Sequence, residues 1–84
     1  MFYIRKWINV ATDWNITWPF VYSENDGHWF HIYTFGTGYK TRQEAKDKLD
    51  ELGWIEDTTG SDEDGAVSII TEEYILNVLY NKVD

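Results

Sequence analysis

Apolar and polar positions alternate from Phe2 to Val10, with Phe2, Ile4, Ile8 and Val10 on one face and Tyr3, Arg5, Trp7 and Asn9 on the other. A period of two, carried by bulky and β-branched side chains, predicts a strand. Lys6 interrupts the apolar face, which points to an edge or a bulge. Residues 11–15 include Asp13 and Asn15, types that favour turns. Ile16 to Ser23 reads as a second strand, with Ile16, Trp18, Phe20 and Tyr22 on one face. Pro19 donates no backbone hydrogen bond, so this strand is expected at an edge or bulged. Glu24-Asn25-Asp26-Gly27 is the strongest turn signal, because Asp-Gly between two aromatic β runs favours a hairpin. A third strand then spans 28–35, with Trp29, His31, Tyr33 and Phe35 on one face and His28, Phe30, Ile32 and Thr34 on the other. Two apolar faces suggest either a central strand covered on both sides or an aromatic face left open for a partner.

After a loop over 36–40, the period changes. Thr41 and Glu44 form a capping box, each side chain satisfying a free backbone N–H near the other. Ala45, Leu49 and Leu52 follow at helical spacing and Gly53 supplies a left-handed stop, which defines a helix over about 41–52. Glu44, Asp47, Asp50 and Glu51 occupy the arc opposite its apolar stripe. Residues 56–65 form an acidic, solvated loop, and 66–70 suit a short strand. Over 71–81, Ile70, Tyr74, Ile75, Val78 and Leu79 fit a helical face, and Thr71, Glu72 and Glu73 fit a helix start. Tyr74 to Tyr80 also suits a strand by composition, and the helix is the favoured reading. The expected fold is α+β: an antiparallel sheet of three to four strands packed with one firm helix and a second, C-terminal one.

Composition narrows the function. A chain of 84 residues fits one domain, 1–84. There is no cysteine, so no disulfide framework, thiolate metal site or thiol nucleophile. The net charge of −8 argues against direct binding to nucleic acid or to an anionic membrane. Neither a signal peptide nor an apolar membrane span is evident, and a cytoplasmic location is expected. The charge is lopsided: residues 1–48 carry six cations and five acids, whereas 49–84 carry ten acids and only Lys82. Aromatics run the other way, with twelve of fifteen at or before Tyr39. The first half reads as an aromatic core module and the second as an acidic cover.

Candidate chemistry is sparse. Gly36-Thr37-Gly38-Tyr39-Lys40-Thr41 joins a strand to a helix, but its spacing is not that of a phosphate-binding loop. His28 and His31 are an odd number of residues apart on a strand and so point to opposite faces. Asp62, Asp64 and Glu73 imitate positions of a calcium loop, yet Val67 stands where the turn glycine belongs. Ser23, Ser61 and Ser68 lack a nucleophile-elbow context. No catalytic, metal or cofactor residue is assigned, and the chain is expected not to be an enzyme.

What stands out is the acidic half. Asp47, Asp50 and Glu51 on the helix, Glu56, Asp57, Asp62, Glu63 and Asp64 on the loop, and Glu72 and Glu73 beyond it form a candidate partner face. Such a face suits a protein with a basic, nucleic-acid-binding cleft. Size, acidity, the missing cysteine, the aromatic hairpin and the helix entry Tyr39-Lys40-Thr41-Arg42-Gln43-Glu44-Ala45 resemble small phage-encoded proteins. Among these are anti-CRISPR and other anti-defence inhibitors, several of them DNA mimics. That resemblance is one of type and carries no residue roles; it implies a stoichiometric, protein-binding inhibitor working in the host cytoplasm. The alternative is an interaction module that associates, as a homodimer for instance, through an exposed aromatic patch of Trp7, Trp29 and Tyr33.

Overall fold

A computed structural model describes residues 1–10, 16–25, 27–31 and 36–81. They form strands β1 (Phe2–Val10), β2 (Ile16–Ser23), β3 (His28–His31) and β4 (Val67–Thr71), with helices α1 (Arg42–Glu51) and α2 (Glu72–Asn81). The fold is α+β. All strand pairings are antiparallel, in the order β3-β2-β1-β4.

The register sorts the side chains into two faces. Lys6 pairs with Phe20 and Val67, Arg5 with Val21 and Ser68, and Tyr22 with Trp29. On the first face, Ile4, Tyr22 and Val67 are buried with Tyr39 and with Ala45 and Leu49 of α1. On the second, Tyr3, Val21 and Ile70 are buried with Ile75 of α2, and Tyr74 and Val78 pack alongside. The sheet is therefore clad by one helix on each side. This settles the 71–81 stretch as a helix: the second sheet face needs an apolar cover, and Ile75 and Val78 supply it at helical spacing.

Local chemistry fixes both helices. Thr41 Oγ1 accepts the Glu44 N–H at 3.1 Å, and Glu44 Oε2 reaches back to the Lys40 N–H at 3.1 Å. At the other end, Gly53 takes φ +80, its N–H donates to Asp50 C=O, and the Trp54 N–H donates to Leu49 C=O. These two bonds are a Schellman motif, and they bring Trp54 down beside Leu49. Thr71 caps α2 by accepting the Tyr74 N–H at 3.1 Å.

Three strand expectations change. β2 lies inside the sheet, although Pro19 pointed to an edge or bulge; the described β3 ladder covers only Phe20 to Ser23, so Pro19 pairs with Trp7 alone among the described residues. β3 lies at the sheet's end among the described strands and is not central; residues 32–35 fall outside the described residues. Lys6 sits in regular register on an internal strand, neither at an edge nor at a bulge. The β2–β3 hairpin has the expected turn, with Gly27 at φ +62 and its N–H donating to Ser23 C=O.

The 36–40 connection is held, not loose. β1 and β2 diverge at the Phe2 end, and the connection enters the gap. Tyr39 exchanges both backbone hydrogen bonds with Phe2 at 2.7 Å, and the Thr37 N–H donates to Tyr22 C=O at 2.9 Å. Lys40 is exposed.

Candidate acidic interface

The side of the sheet beyond β4 collects most of the candidate acids. Before β4, the loop carrying Asp62, Glu63 and Asp64 runs past the end of β1: Asp64 Oδ1 accepts the Asn9 N–H at 2.7 Å, and the Gly65 N–H donates to Trp7 C=O. Beside β4, Glu56 makes a parallel bridge to Val67, and the Asp57 N–H donates to Val67 C=O at 2.7 Å. After β4, the Glu72 N–H donates to Met1 C=O, which places Glu72 and Glu73 at the opposite end of β1. Eight residues of strand separate Asn9 from Met1, roughly 26 Å at the usual rise. The longest dimension of the molecule is 35 Å. Seven of the ten candidate acids are thus strung along one flank.

They differ in what holds them. Asp57 anchors a turn by accepting the Thr59 N–H at 2.8 Å and Thr59 Oγ1 at 2.6 Å. Those bonds first, and the Arg5 charge second, hold its carboxyl below its usual range. Glu56 is largely buried and paired with Arg42. Asp62, Glu63, Glu72 and Glu73 are exposed and have no ion-pair partner among the described residues. Glu72 and Glu73 have a structural reason of their own, since acids in a helix's first turn oppose its positive dipole end.

The three α1 acids are a separate and largely compensated group. Asp47 accepts from Gln43 Nε2 at 2.8 Å, Asp50 pairs with Lys46 at 3.0 Å, and Glu51 pairs with Lys48 at 3.0 Å. Lys48 also reaches Glu24 at 2.8 Å, and hydrogen bonds to both carboxylates raise its pKa. Helical spacing thus sets Asp50 and Glu51 beside a cation of the same helix, whereas Asp47 is bonded only to a neutral amide.

The aromatic alternative loses its geometry. Trp7 lies on the α2 face, with the Arg5 guanidinium 4.9 Å from its ring. Trp29 lies on the α1 face, half-buried against Tyr22 and Trp54 at centroid distances of 5.4 and 6.1 Å. Tyr33 is outside the described residues. Trp7 and Trp29 cannot share one patch.

Two cations matter more than the sequence indicated. Lys6 Nζ lies 3.8 Å from the Trp54 ring centroid and 5.5 Å from that of Trp29, a cation held between aromatic rings. The signal was present: a helix-stop glycine followed by Trp54 fixes that ring beside the sheet. Arg5 is buried, at 7% exposure, and its Nη1 donates to the Tyr74 hydroxyl at 2.8 Å. Its place on the polar-looking face gave no hint of burial under α2.

Among the described residues there is no group of three or more His, Cys, Asp and Glu side chains arranged to hold a metal ion, and no helix long and apolar enough to cross a membrane. A scan of protein-family models gives no match, and neither a curated protein nor a solved structure proves similar to this chain.

Proposed function

We propose that the protein is a non-catalytic inhibitor that places the acidic flank beside β4 into a cationic, nucleic-acid-binding cleft of another protein, as phage-encoded anti-defence proteins of the DNA-mimic type do. One observation carries the reading: carboxylates line that flank over roughly 26 Å, and Asp62, Glu63, Glu72 and Glu73 have no neutralising partner among the described residues. At 3.4 Å per base pair, that length corresponds to about eight base pairs of duplex. Acids with structural tasks, Asp57 and Asp64, add charge along the same line without being free to fold back. Tyr3, Tyr22 and Tyr39 are buried in the core, which leaves this flank as a chemically distinctive surface beside the exposed Trp18.

The test is capture of partners from the native host's lysate by the immobilised protein, followed by elution with duplex DNA or with salt raised from about 50 to 200 mM. Wild type is expected to retain a nucleic-acid-binding protein and release it to either eluent. The variant Asp62→Asn, Glu63→Gln, Glu72→Gln, Glu73→Gln, which disturbs no ion pair among the described residues, is expected to lose that capture. Undiminished capture by the neutralised variant would refute the proposal.

A further inference from the structure

The outer edge of β4 is only partly closed. Phe2 bonds to Tyr39 on the side away from β4, whereas the Trp7 N–H reaches Ala66 C=O on the β4 side at 2.9 Å. Backbone direction alternates along a strand, so Tyr3, Arg5 and Trp7 bond toward β4, and their partners Ile70 and Ser68 bond back. Val67, Ile69 and Thr71 consequently direct their N–H and C=O groups outward. Val67 C=O is taken by the Asp57 N–H, and Asp57 C=O in turn accepts Ser68 Oγ at 2.9 Å, before the Asp57–Thr59 bonds turn the chain. Thr71 is the N-cap of α2, and the C=O of a cap enters the first helical turn. The Ile69 N–H and C=O and the Thr71 N–H are left, without a partner among the described residues.

We infer that this notch takes an extended, lysine- or arginine-bearing segment of the partner protein as a fifth strand. The inference rests on the acidic-flank reading and gives it a binding mode. Asp57 closes the Val67 end, so an incoming strand can run only from Ile69 outward past Thr71. There it meets Glu72 and Glu73, exposed and without cation partners among the described residues. Complementary charge therefore selects a basic segment. A second copy of this chain is disfavoured in either antiparallel register that uses these groups: centred on Ile69 its Thr71 falls opposite Val67, where Asp57 already lies, and centred on Ile70 its Glu73 falls there. The same acids beside an apolar edge discourage self-pairing.

The experiment uses the full chain, labelled with ¹⁵N, titrated at low salt with a capped hexapeptide of alternating Lys and Val. A second peptide of equal charge carries an N-methyl group on every residue, which removes its main-chain donors and sets methyl groups along both of its edges. The unmodified peptide is expected to slow amide exchange at Ile69 and Thr71 and to bind about tenfold or more tightly than the methylated one, in keeping with two or three backbone hydrogen bonds. Ile69→Pro removes an outward N–H and spares the β1 ladder; it is expected to weaken binding about tenfold, and Ile69→Ala less than about threefold. If Ile69→Pro fails to fold, the methylated peptide decides alone. Equal binding of the two peptides, binding without protection of Ile69 and Thr71, or no binding at all would overturn strand addition. None of those results touches the acidic-flank reading, which falls only if the neutralised variant keeps its partner.

Discussion

Gly36→Ala isolates the way the 36–40 connection is seated. An added Cβ would lie 2.3 Å from Tyr22 O and 3.0 Å from Tyr22 C, with Val21 Cγ2 at 3.1 Å. Ordinary contact begins near 3.4 Å, so the overlap with the carbonyl oxygen is about 1 Å. Tyr22 O belongs to the backbone of an internal strand, and no rotamer change relieves it. The connection has to move outward, which stretches the Thr37 N–H to Tyr22 C=O bond from 2.9 Å and pulls on the paired Tyr39–Phe2 bonds. Overpacking costs about 1–3 kcal/mol and a lost hydrogen bond about 1 kcal/mol, so the expected loss is about 2–4 kcal/mol. For 84 residues the unfolding entropy is about 0.18 kcal/mol/K, and the melting midpoint should fall by roughly 11–23 °C.

The comparison that gives this number meaning is Gly60→Ala. Gly60 has φ +79 and open space around the added Cβ, so only the left-handed backbone opposes alanine there, at about 1 kcal/mol. Gly36 carries no such backbone demand; its cost is wholly steric. Urea and thermal unfolding by far-UV circular dichroism should therefore rank Gly36→Ala well below Gly60→Ala. A Gly36→Ala protein as stable as the Gly60→Ala one would refute the wedge between β1 and β2. The seating of Tyr39 against Phe2 would fall with it.

Trp54→Ala removes a half-buried ring from the first core and both aromatic contacts it makes to Trp29 and Lys6; urea unfolding should register a loss of about 2–4 kcal/mol. Lys6→Met keeps the stem and gives up only the cation, so a loss under about 1 kcal/mol is expected in the same assay, and a larger loss would mean the ammonium has a role beyond the rings. The Tyr39 hydroxyl is pushed up from 10.0 to about 12, by burial first and the neighbouring Glu24 charge next. Unfolded chains lose that proton near pH 10 while the folded chain keeps it, so its contribution to stability is complete below pH 10 and is lost as pH rises toward about 12. Chemical denaturation between pH 9 and 12 should show that fall, and Tyr39→Phe should make it shallower; an unchanged slope would count against burial of the hydroxyl.

Features set by neighbouring residues were legible in the sequence, and features set by a distant partner were not. Thr41, Glu44 and Gly53 announced α1 because capping is chemistry within a few residues. Tyr74 to Tyr80 satisfied two patterns at once, and the tie was broken by Tyr3, Val21 and Ile70, a sheet face in need of cover. Lys6 was read as an edge or bulge because a period-two pattern counts every charge as exposed. Trp54, forty-eight residues later in the chain, is what makes its internal position tolerable. Pro19 followed a rule about missing donors, yet it stands on an internal strand, where it pairs with Trp7 alone among the described residues.

The charge asymmetry was equally legible, but its meaning depended on spatial pairing. Ten acids counted along the chain divide into three on α1, each bonded to a neighbour on that helix, and seven on the β4 flank, where six have no cation partner among the described residues. The division follows from the cations: Arg42, Lys46 and Lys48 all lie on α1, within reach of the helix acids, of Glu24 and of Glu56 alone on the flank. Aromatic residues are consumed differently. Clad on both sides, the sheet spends Tyr22, Trp29 and Tyr39 against one helix and Tyr3 and Tyr74 on the side of the other. A partner that recognised those buried rings would have to displace a helix. One that recognised the β4 flank would meet carboxylates and three outward backbone groups already in place, with nothing in the fold to undo.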